Sequence, residues 1–230
     1  IACAAAYMIE LVERGLVGLI LASTPSERVV SSPDGYKPIT SNTPIAFCAP
    51  GENSPLLFDF TTAASTIGKI TSASDQGHRL AEACLRTPDG ELTDDPSAFF
   101  ADPAATILPF GGEQGRHKGF ALSLMIEALT FGLMGCSSAE AAQDGENNSV
   151  FLLVVDPEKF AGQAAMMRAI DLMYADVTGD ASGDARIPGA RAWRSRAEAM
   201  VSGLVLAESS GVILKEFACK TGIPLPSFLD

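Results

Sequence analysis

Two short apolar runs joined by a tight turn constrain this fold most. The runs are PIAFCAP at 44–50 and LLFDF at 56–60, and the turn between them reads GENSP. A parallel connection between neighbouring strands needs about a dozen residues or more, so these two strands pair antiparallel as a hairpin. Any sheet built on them has an antiparallel part, which excludes a sheet wound entirely from parallel strands.

Helical and extended patterns alternate along the rest of the chain. The helix at the start ends where Gly15 stands, because glycine readily takes the left-handed conformation that stops a helix. The run VFLLVVD at 150–156 predicts a buried strand, and the run at 119–134 predicts a core helix that is apolar on nearly every face. The remaining predicted helices cover 4–14, 61–74, 159–174, 191–200 and 208–221, and further strands cover 16–23 and GLVL at 203–206. The sequence therefore predicts a mixed α and β (α+β) fold with a mostly antiparallel sheet and flanking helices.

Charge and cysteine usage exclude several classes of protein. With 28 acidic and 16 basic residues the net charge is −12, which repels nucleic acid and anionic lipid. The 5 cysteines are scattered and never form a C-x-x-C pair, so the sequence predicts neither a zinc site nor a disulfide framework. We expect reduced thiols in a cytoplasmic protein without a membrane span or a metal.

The common catalytic and nucleotide-binding motifs are missing. No G-x-G-x-x-G follows a strand, and no Walker A loop, G-x-S-x-G elbow or H-E-x-x-H helix is present. The two standard nucleotide fingerprints are therefore absent, as are the simplest signatures of a serine hydrolase or a zinc protease.

A glycine-rich, cationic segment precedes the predicted core helix. It reads FGGEQGRHKGF at 110–120, and its glycines permit close approach of a ligand to the backbone. His117 and Lys118 near a helix N-terminus favour an anionic group, although a solvated loop edge explains the same residues.

Two other features have two readings each, and two further residues fit structural roles. Asp59, at the end of LLFDF, either caps the segment that follows or accepts from a ligand hydroxyl. The RIPGAR turn at 186–191 is either a surface turn or a ligand contact. His78 fits a surface loop, and Glu127 fits a pairing role within the core.

The order of these blocks resembles one known family. The blocks are SNTPIAFCAPGE, LLFDFTT, GKI, TPDGELTDDP, ILPFGG, HKGFALSLMIEALTFGLMG and RIPGAR. Together they resemble the type 2 malate/L-lactate dehydrogenases over essentially the whole chain. The likeness is most specific at 108–135 and in FDFTT, and it weakens towards the C-terminus.

The resemblance implies an NAD(P)-dependent oxidoreductase with a non-Rossmann, sulfolactate dehydrogenase-like fold. Such an enzyme passes a hydride between nicotinamide, as NAD or NADP, and a small 2-hydroxy or 2-oxo acid of the malate, lactate, sulfolactate or ureidoglycolate type. It also implies a homodimer with the active site near the subunit interface. The expected division is a cofactor-binding sheet domain over 1–190 and a helical segment over 191–230 that packs with a more N-terminal part.

The resemblance also implies site residues, position by position. The cofactor contacts fall on Ser23, Asp59, Phe60, Thr61, His117, Lys118, Gly189, Ala190 and Arg191. The substrate contacts fall on Asn42 and Thr43, whose order is reversed relative to the family's usual Thr-Asn, and on the positions of Ile67 and Lys69. Members that bind cyclic imines carry Asp at this last position, so Lys69 makes that substrate less favoured.

The family's proton-transfer histidine and carboxylate-binding arginine precede the region equivalent to Ile1. His78 and His117 are not their counterparts, so no catalytic residue is assigned within this chain. Two other hypotheses follow: a catalytically inactive, dimerising remnant of the same fold, and an anion-binding module that uses His117 and Lys118.

Overall fold

The structure, a computed structural model, describes residues 3–136, 147–179, 186–206 and 208–225. It divides the chain into two units, Ile1–Gly189 and Ala190–Asp230. In the first unit the described strands are β1 (Val17–Ser23), β2 (Val30–Ser31), β3 (Pro38–Thr40), β4 (Pro44–Ala49), β5 (Leu56–Thr61), β6 (Leu85–Arg86), β7 (Leu92–Thr93), β8 (Thr106–Ile107) and β9 (Ser149–Val155). Its α-helices are α1 (Ile9–Glu13), α2 (Ile67–Asp75), α3 (Gly112–Glu127) and α4 (Gln163–Thr178), and the second unit holds α5 (Ala190–Ser202) and α6 (Glu208–Thr221).

The first sheet is fully antiparallel, with strand order β5-β4-β1-β9. The predicted hairpin is present, and its register places Asp59 opposite Ala46 and Phe60 opposite Ile45. Because side chains alternate between the two faces of a strand, Asp59 and Phe60 project to opposite sides of this sheet. The predicted mixed α and β fold is confirmed.

The second sheet is mixed, with strand order β3-β2-β8-β6-β7 and one parallel pair, β2 with β8. Strands β2 and β3 lie in a segment that the sequence presents only as a polar connector, because each strand is too short to show a period. A buried cluster that includes Val30, Ile70, Leu85 and Ile107 joins this sheet to α2. An isolated bridge between Ala63 and Pro109 links the end of β5 to the segment after β8.

Helices cover both faces of the first sheet. On one face, Ile126 of α3 packs on Leu21 and Ile45. On the other face lie α1 and the 3-10 helix that precedes it, Ala4–Met8. Gly18 of β1 is in such close contact with this helical segment that an added Cβ would lie 2.6 Å from Leu11 Cδ1.

Helix α3 differs from its prediction in start and in orientation. It begins at Gly112, seven residues before the expected 119, since Gly111 supplies the left-handed entry at φ 114° and the EQGRHK segment holds good helix formers. Its polar stripe faces the sheet: Ser123 and Thr130 are buried, whereas Leu124 is 45% exposed. The helix continues into a π-helix, Ala128–Gly132.

Two strand predictions are wrong in different ways. Strand β9 forms, but it is an edge strand whose Val150, Leu152, Leu153 and Val154 are exposed, so the predicted burial is wrong. The segment at 203–206 is not a strand, because it has no neighbouring strand with which to pair within the described residues. Apolar character alone predicted both and could not reveal the packing partner.

The predicted helix at 61–74 forms later than expected, as α2. Thr66 caps it by accepting a hydrogen bond from the Lys69 backbone N–H. Residues 61–65 instead continue from β5 towards the second sheet. The described helices include none that is both long and apolar enough to cross a membrane.

Candidate functional site

A cleft of about 560 Å³ lies where β1 and β5 end and β4 begins, beside the start of α2. Of the residues that the resemblance implies, this cleft brings together Ser23, Asn42, Asp59, Phe60, Thr61 and Ile67. The other residues of its lining are Ala22, Thr24, Glu27, Pro44, Thr66, Gly68 and Asn148. Residues far apart in sequence thus meet at one end of the first sheet.

Asn42 and Thr61 are held to one another at the mouth of the β4–β5 hairpin. The Thr61 hydroxyl donates to the side-chain carbonyl of Asn42, and the Ala63 backbone N–H donates to Thr61 Oγ1 at 3.1 Å. Thr61 therefore lines the cleft and also holds Asn42 and Ala63 in place through these hydrogen bonds.

Asp59 is exposed and holds the N-terminal helical segment. Its Oδ2 accepts a hydrogen bond from the Ala5 backbone N–H at 3.1 Å. The expectation that Asp59 caps the segment that follows it is wrong, because the N–H from which it accepts belongs to a residue 54 positions earlier. Such a contact has no local sequence signal. The second carboxylate oxygen is available to a ligand hydroxyl in the cleft.

Two other predicted residues direct their hydroxyls into the protein. The Ser23 hydroxyl lies 2.7 Å from Thr130 Oγ1, and Ser23 is buried. Thr43 is fully buried and its hydroxyl is hydrogen-bonded to that of Thr62. Ser23 reaches the cleft at its edge, whereas the Thr43 side chain is not among the lining groups.

His117 and Lys118 lie outside the cleft lining, exposed in the second turn of α3. They are not at the helix N-terminus, whose free N–H groups belong to the first four residues. Helix α3 covers the face from which Phe60 projects, and Asp59 projects from the other. The Phe60 ring packs edge-on against the Phe110 ring with 6.1 Å between the ring centroids, and β5 is an edge strand of this sheet.

Gly189 packs directly on the backbone of β5. An added Cβ would lie 1.5 Å from the Leu57 carbonyl oxygen, and Gly189 has a φ of 81°. The turn therefore adjoins the strand that carries Asp59. Ala190 and Arg191 begin α5 and belong to the second unit.

The cleft lining is polar, with carboxylates but without a cation. Its charged residues are Glu27 and Asp59, and no Lys, Arg or His lines it within the described part of the chain. Hydroxyl and amide groups of a ligand suit such a lining, whereas phosphates do not.

Sequence reasoning missed several residues of the lining. Thr24 donates to the Asn148 side-chain carbonyl at 3.1 Å and joins the end of β1 to the start of β9. Thr66 had a usable signal, because a threonine just before a helical pattern is a common N-cap. Glu27 and Asn148 lie in segments without a motif, and only the fold brings them to the cleft.

Glu127 supports the cleft indirectly, by binding the backbone of the residue before Asn42. It accepts a hydrogen bond from the Ser41 backbone N–H at 2.9 Å. Burial raises the pKa of Glu127, and the Ser41 hydrogen bond and the charge of Arg28 oppose this rise. The pairing role expected for Glu127 is present.

A second pocket, of about 460 Å³, adjoins the cleft across Thr66 and Gly68. Its lining includes Lys69, His78 and Arg79, and Arg79 is also paired with Asp94 at 2.8 Å. Ile67 and Lys69, the two positions that the resemblance assigns to substrate, therefore lie in different pockets. The described residues contain no group of three or more side chains suited to hold a metal.

Comparisons with known proteins agree on one family. A family model described as malate/L-lactate dehydrogenase matches residues 1–212. The Δ1-pyrroline-2-carboxylate/Δ1-piperideine-2-carboxylate reductase of Pseudomonas syringae pv. tomato is 34% identical over 215 residues, which is 90% of this chain and 59% of the reductase. This chain thus spans less than two thirds of that relative's length.

Solved structures show the same fold. The crystal structure of Δ1-piperideine-2-carboxylate reductase from the same organism is 32% identical with a TM-score of 0.77, over 94% of this chain and 64% of the reductase. Sulfolactate dehydrogenase from Methanocaldococcus jannaschii is 25% identical with a TM-score of 0.74, over 96% of this chain and 63% of that protein. The expected sulfolactate dehydrogenase-like fold is confirmed.

Proposed function

The chain belongs to the malate/L-lactate dehydrogenase family, and we propose that it forms the cofactor-binding part of an NAD(P)-dependent oxidoreductase for small 2-hydroxy and 2-oxo acids. The convergence of Asn42, Asp59 and Thr61 at one cleft carries this proposal. Asp59 and Thr61 lie on β5 and Asn42 lies just before β4, and the register of the β4–β5 hairpin brings them together.

Each residue has a role that follows from its surroundings. Asp59 accepts from a ribose hydroxyl with the carboxylate oxygen that Ala5 leaves free. Phe60, 43% exposed and supported by Phe110, offers a ring face or edge to a planar group. Lys118 offers positive charge beyond the cleft, where the pyrophosphate would lie, and Gly189 shapes the edge of β5.

When bound, the reduced nicotinamide supplies the hydride that the C2 carbon of a 2-oxo acid accepts. The residues of this chain orient the two reactants and exclude water from one side of the cleft. Asn42, on the hairpin side, contacts the substrate, and buried Thr43 supports Asn42 rather than touching the substrate. A cation that pairs with the substrate carboxylate is absent from the described lining and must come from another part of the protein.

We also propose a homodimer in the cytoplasm. Strand β9 carries the exposed apolar side chains of Val150, Leu152, Leu153 and Val154, and one of its edges pairs with no other strand among the described residues. Both features favour burial against another protein surface. All five cysteines are free, which fits a reducing compartment. Sedimentation analysis of the intact protein tests the dimer, and a monomer at micromolar concentration contradicts it.

Titration of the intact protein with NADH and NADPH tests the enzyme proposal. We expect saturable binding of at least one nucleotide and its oxidation in the presence of a 2-oxo acid. Lys118→Ala should weaken binding about tenfold, since a lost charge contact is worth about 1.4 kcal/mol or more. Lys159→Ala, an exposed lysine elsewhere in the first unit, is the matched control. Absence of saturable binding to either nucleotide would refute the function.

A further inference from the structure

The free edge of β9 lacks the features by which proteins protect an exposed strand edge. Strand β9 pairs with β1 in unbroken register over all 7 of its residues, from Ser149 opposite Ser23 to Val155 opposite Val17. It is therefore regular, and it contains no proline, no charged residue and no bulge. Among the described residues, no strand pairs with its other edge. A regular, apolar edge of this kind readily accepts a further strand.

The apolar side chains at this edge are exposed on both faces of the sheet. Leu152 lies opposite Ile20 and is 57% exposed on the face that carries α1. Leu153 lies opposite Leu19 and is 46% exposed on the face that carries α3. A partner that covered one face would leave the other in water, whereas a further strand brings neighbouring side chains to both faces.

We propose that β9 of a second copy occupies this edge and pairs antiparallel with it, so that the two four-stranded sheets form one continuous sheet across the dimer. This inference rests on the homodimer proposed above and assigns its interface. A twofold axis perpendicular to the sheet reverses the strand direction, so the same edge of each protomer serves as donor and acceptor for the other. A second copy also offers an uncharged, apolar edge of equal length.

Full pairing of the strand determines its register. All 7 residues of β9 pair when the axis passes beside Leu152, the central residue. Leu152 then lies opposite its own copy, and Val150 lies opposite the partner's Val154. The strand carries no charge, so this contact brings no like charges together even though each chain has a net charge of −12.

The same axis keeps each helix layer on its own face of the sheet. The π-helix Ala128–Gly132 lies beside β9, and it is followed by Leu133 and Met134, which are 69% and 60% exposed. The partner's π-helix therefore lies across the axis on the same face, which brings these apolar side chains towards their copies. A stable interface involves about 20–30 residues on each side, so the helix layer has to contribute alongside the strand.

This register also places the second protomer at the border of the cleft. Asn148 lines the cleft and directly precedes β9. Because Ser149 lies opposite the partner's Val155, the partner's Asp156 follows beside Asn148, at the spacing of neighbouring strands, about 4.8 Å. The second protomer thus borders the cleft on the side where β9 begins.

Sedimentation analysis of the intact protein tests this interface with Leu152→Lys, which sets two ammonium groups opposite one another at the axis. We expect the Kd of the dimer to rise at least 100-fold, because like charges that face one another across an interface are strongly unfavourable. Leu172→Lys is the matched control, since Leu172 is a similarly exposed leucine on α4 and should keep the dimer. Thermal melting shows whether each variant is folded.

Three results of this experiment would overturn the inference. They are a wild-type monomer at micromolar concentration, an unchanged dimer in folded Leu152→Lys, and an equal loss of dimer in Leu172→Lys. A dimer that persists in Leu152→Lys would mean that another surface forms the dimer and that a different segment or protein covers β9.

Cysteine cross-linking tests the register without adding charge. The three exposed cysteines are first replaced by serine. With a short bismaleimide, Leu152→Cys should link to its own copy, whereas Val150→Cys should link to Val154→Cys only after the two proteins are mixed. Absence of the Leu152→Cys link, or efficient linking of Val150→Cys to itself, contradicts the proposed pairing.

The inference and the proposed function fail separately. A protein that dimerises through β9 but binds no nicotinamide nucleotide refutes the enzyme function and leaves the interface in place. A protein that binds the nucleotide but shows neither the effect of Leu152→Lys nor the cross-links refutes the interface and leaves the enzyme function in place.

Discussion

The hydroxyl of Thr43 is hydrogen-bonded to the hydroxyl of Thr62, and both side chains are completely buried. The Thr62 backbone N–H also donates to the Thr43 carbonyl at 3.0 Å. This pair fastens the start of β4 to the residue after β5. It therefore fixes the spacing of their neighbours Asn42 and Thr61, which line the cleft.

Thr43→Val should destabilise the protein by about 1–3 kcal/mol, because it leaves the Thr62 hydroxyl buried without this partner. The double variant Thr43→Val/Thr62→Val should be more stable than the sum of the two single changes predicts, since neither hydroxyl is then left alone. Denaturant unfolding of all four proteins measures this coupling. Simple additivity of the single changes would show that the pair contributes nothing specific.

Gly189→Ala should be strongly destabilising, because the added methyl group would lie 1.5 Å from the Leu57 carbonyl oxygen. Gly203→Ala is the matched control: Gly203 has the same φ of 81° but nothing within 4 Å. The control should lose only about 1 kcal/mol from backbone strain. Thermal or urea unfolding compares them, and equal losses would mean that the turn does not pack on β5.

Glu127→Gln should remove a pH dependence of stability. Burial raises the pKa of Glu127 above 4.5, so the folded state holds this proton more tightly than the unfolded state. The stability that this group contributes is full below pH 4.5 and is lost as pH rises through the raised pKa. The amide has no charge to desolvate and still accepts from the Ser41 N–H.

Denaturant unfolding at about pH 4 and at about pH 7 gives the comparison. Glu127→Gln should gain stability relative to the wild type at the higher pH, and this gain should shrink at the lower pH. Were the difference between the two proteins the same at both values, the carboxylate would not be desolvated in the folded protein.

Two substitutions of Asp59 separate its structural role from its binding role. Asp59→Asn keeps an acceptor for the Ala5 N–H but loses the charge, whereas Asp59→Ala loses both. Only Asp59→Ala should speed hydrogen exchange at the start of the first helical segment. Both should weaken nucleotide binding, by about tenfold for the loss of a charged hydrogen bond. Nucleotide affinity equal to the wild type in Asp59→Asn would limit Asp59 to the cap.

The sequence predicted those elements whose partners are close in the chain. The β4–β5 hairpin followed from turn length. Its pairing is local, so spacing alone determined it. Asp59 on β5 and Asn42 just before β4 accordingly meet at one cleft.

Distant packing explains what sequence could not predict. The sequence of α3 and the π-helix after it is apolar on nearly every face. In the structure, however, Glu127 and Thr130 face inward, because Ser41 and Ser23 supply hydrogen-bonding partners there. Strand β9 reads as buried but lies at an edge, since strand order depends on the whole sheet. The prediction that His117 and Lys118 lie near a helix N-terminus was wrong for a third reason. The glycine-rich sequence before them resembles a loop, but in the structure it forms the first turn of α3.

Gly18 shows how little room separates the first helical segment from the strands beneath it. A methyl group there would meet Leu11 at 2.6 Å, the Met8 sulfur at 2.9 Å and the Cys48 sulfur at 3.0 Å. The extended backbone of Gly18 would accept alanine, but the surrounding side chains leave no room for its methyl group. The absence of a side chain at Gly18 thus sets how closely the first helical segment packs on the sheet. The same spacing determines whether the Ala5 N–H can reach the Asp59 carboxylate.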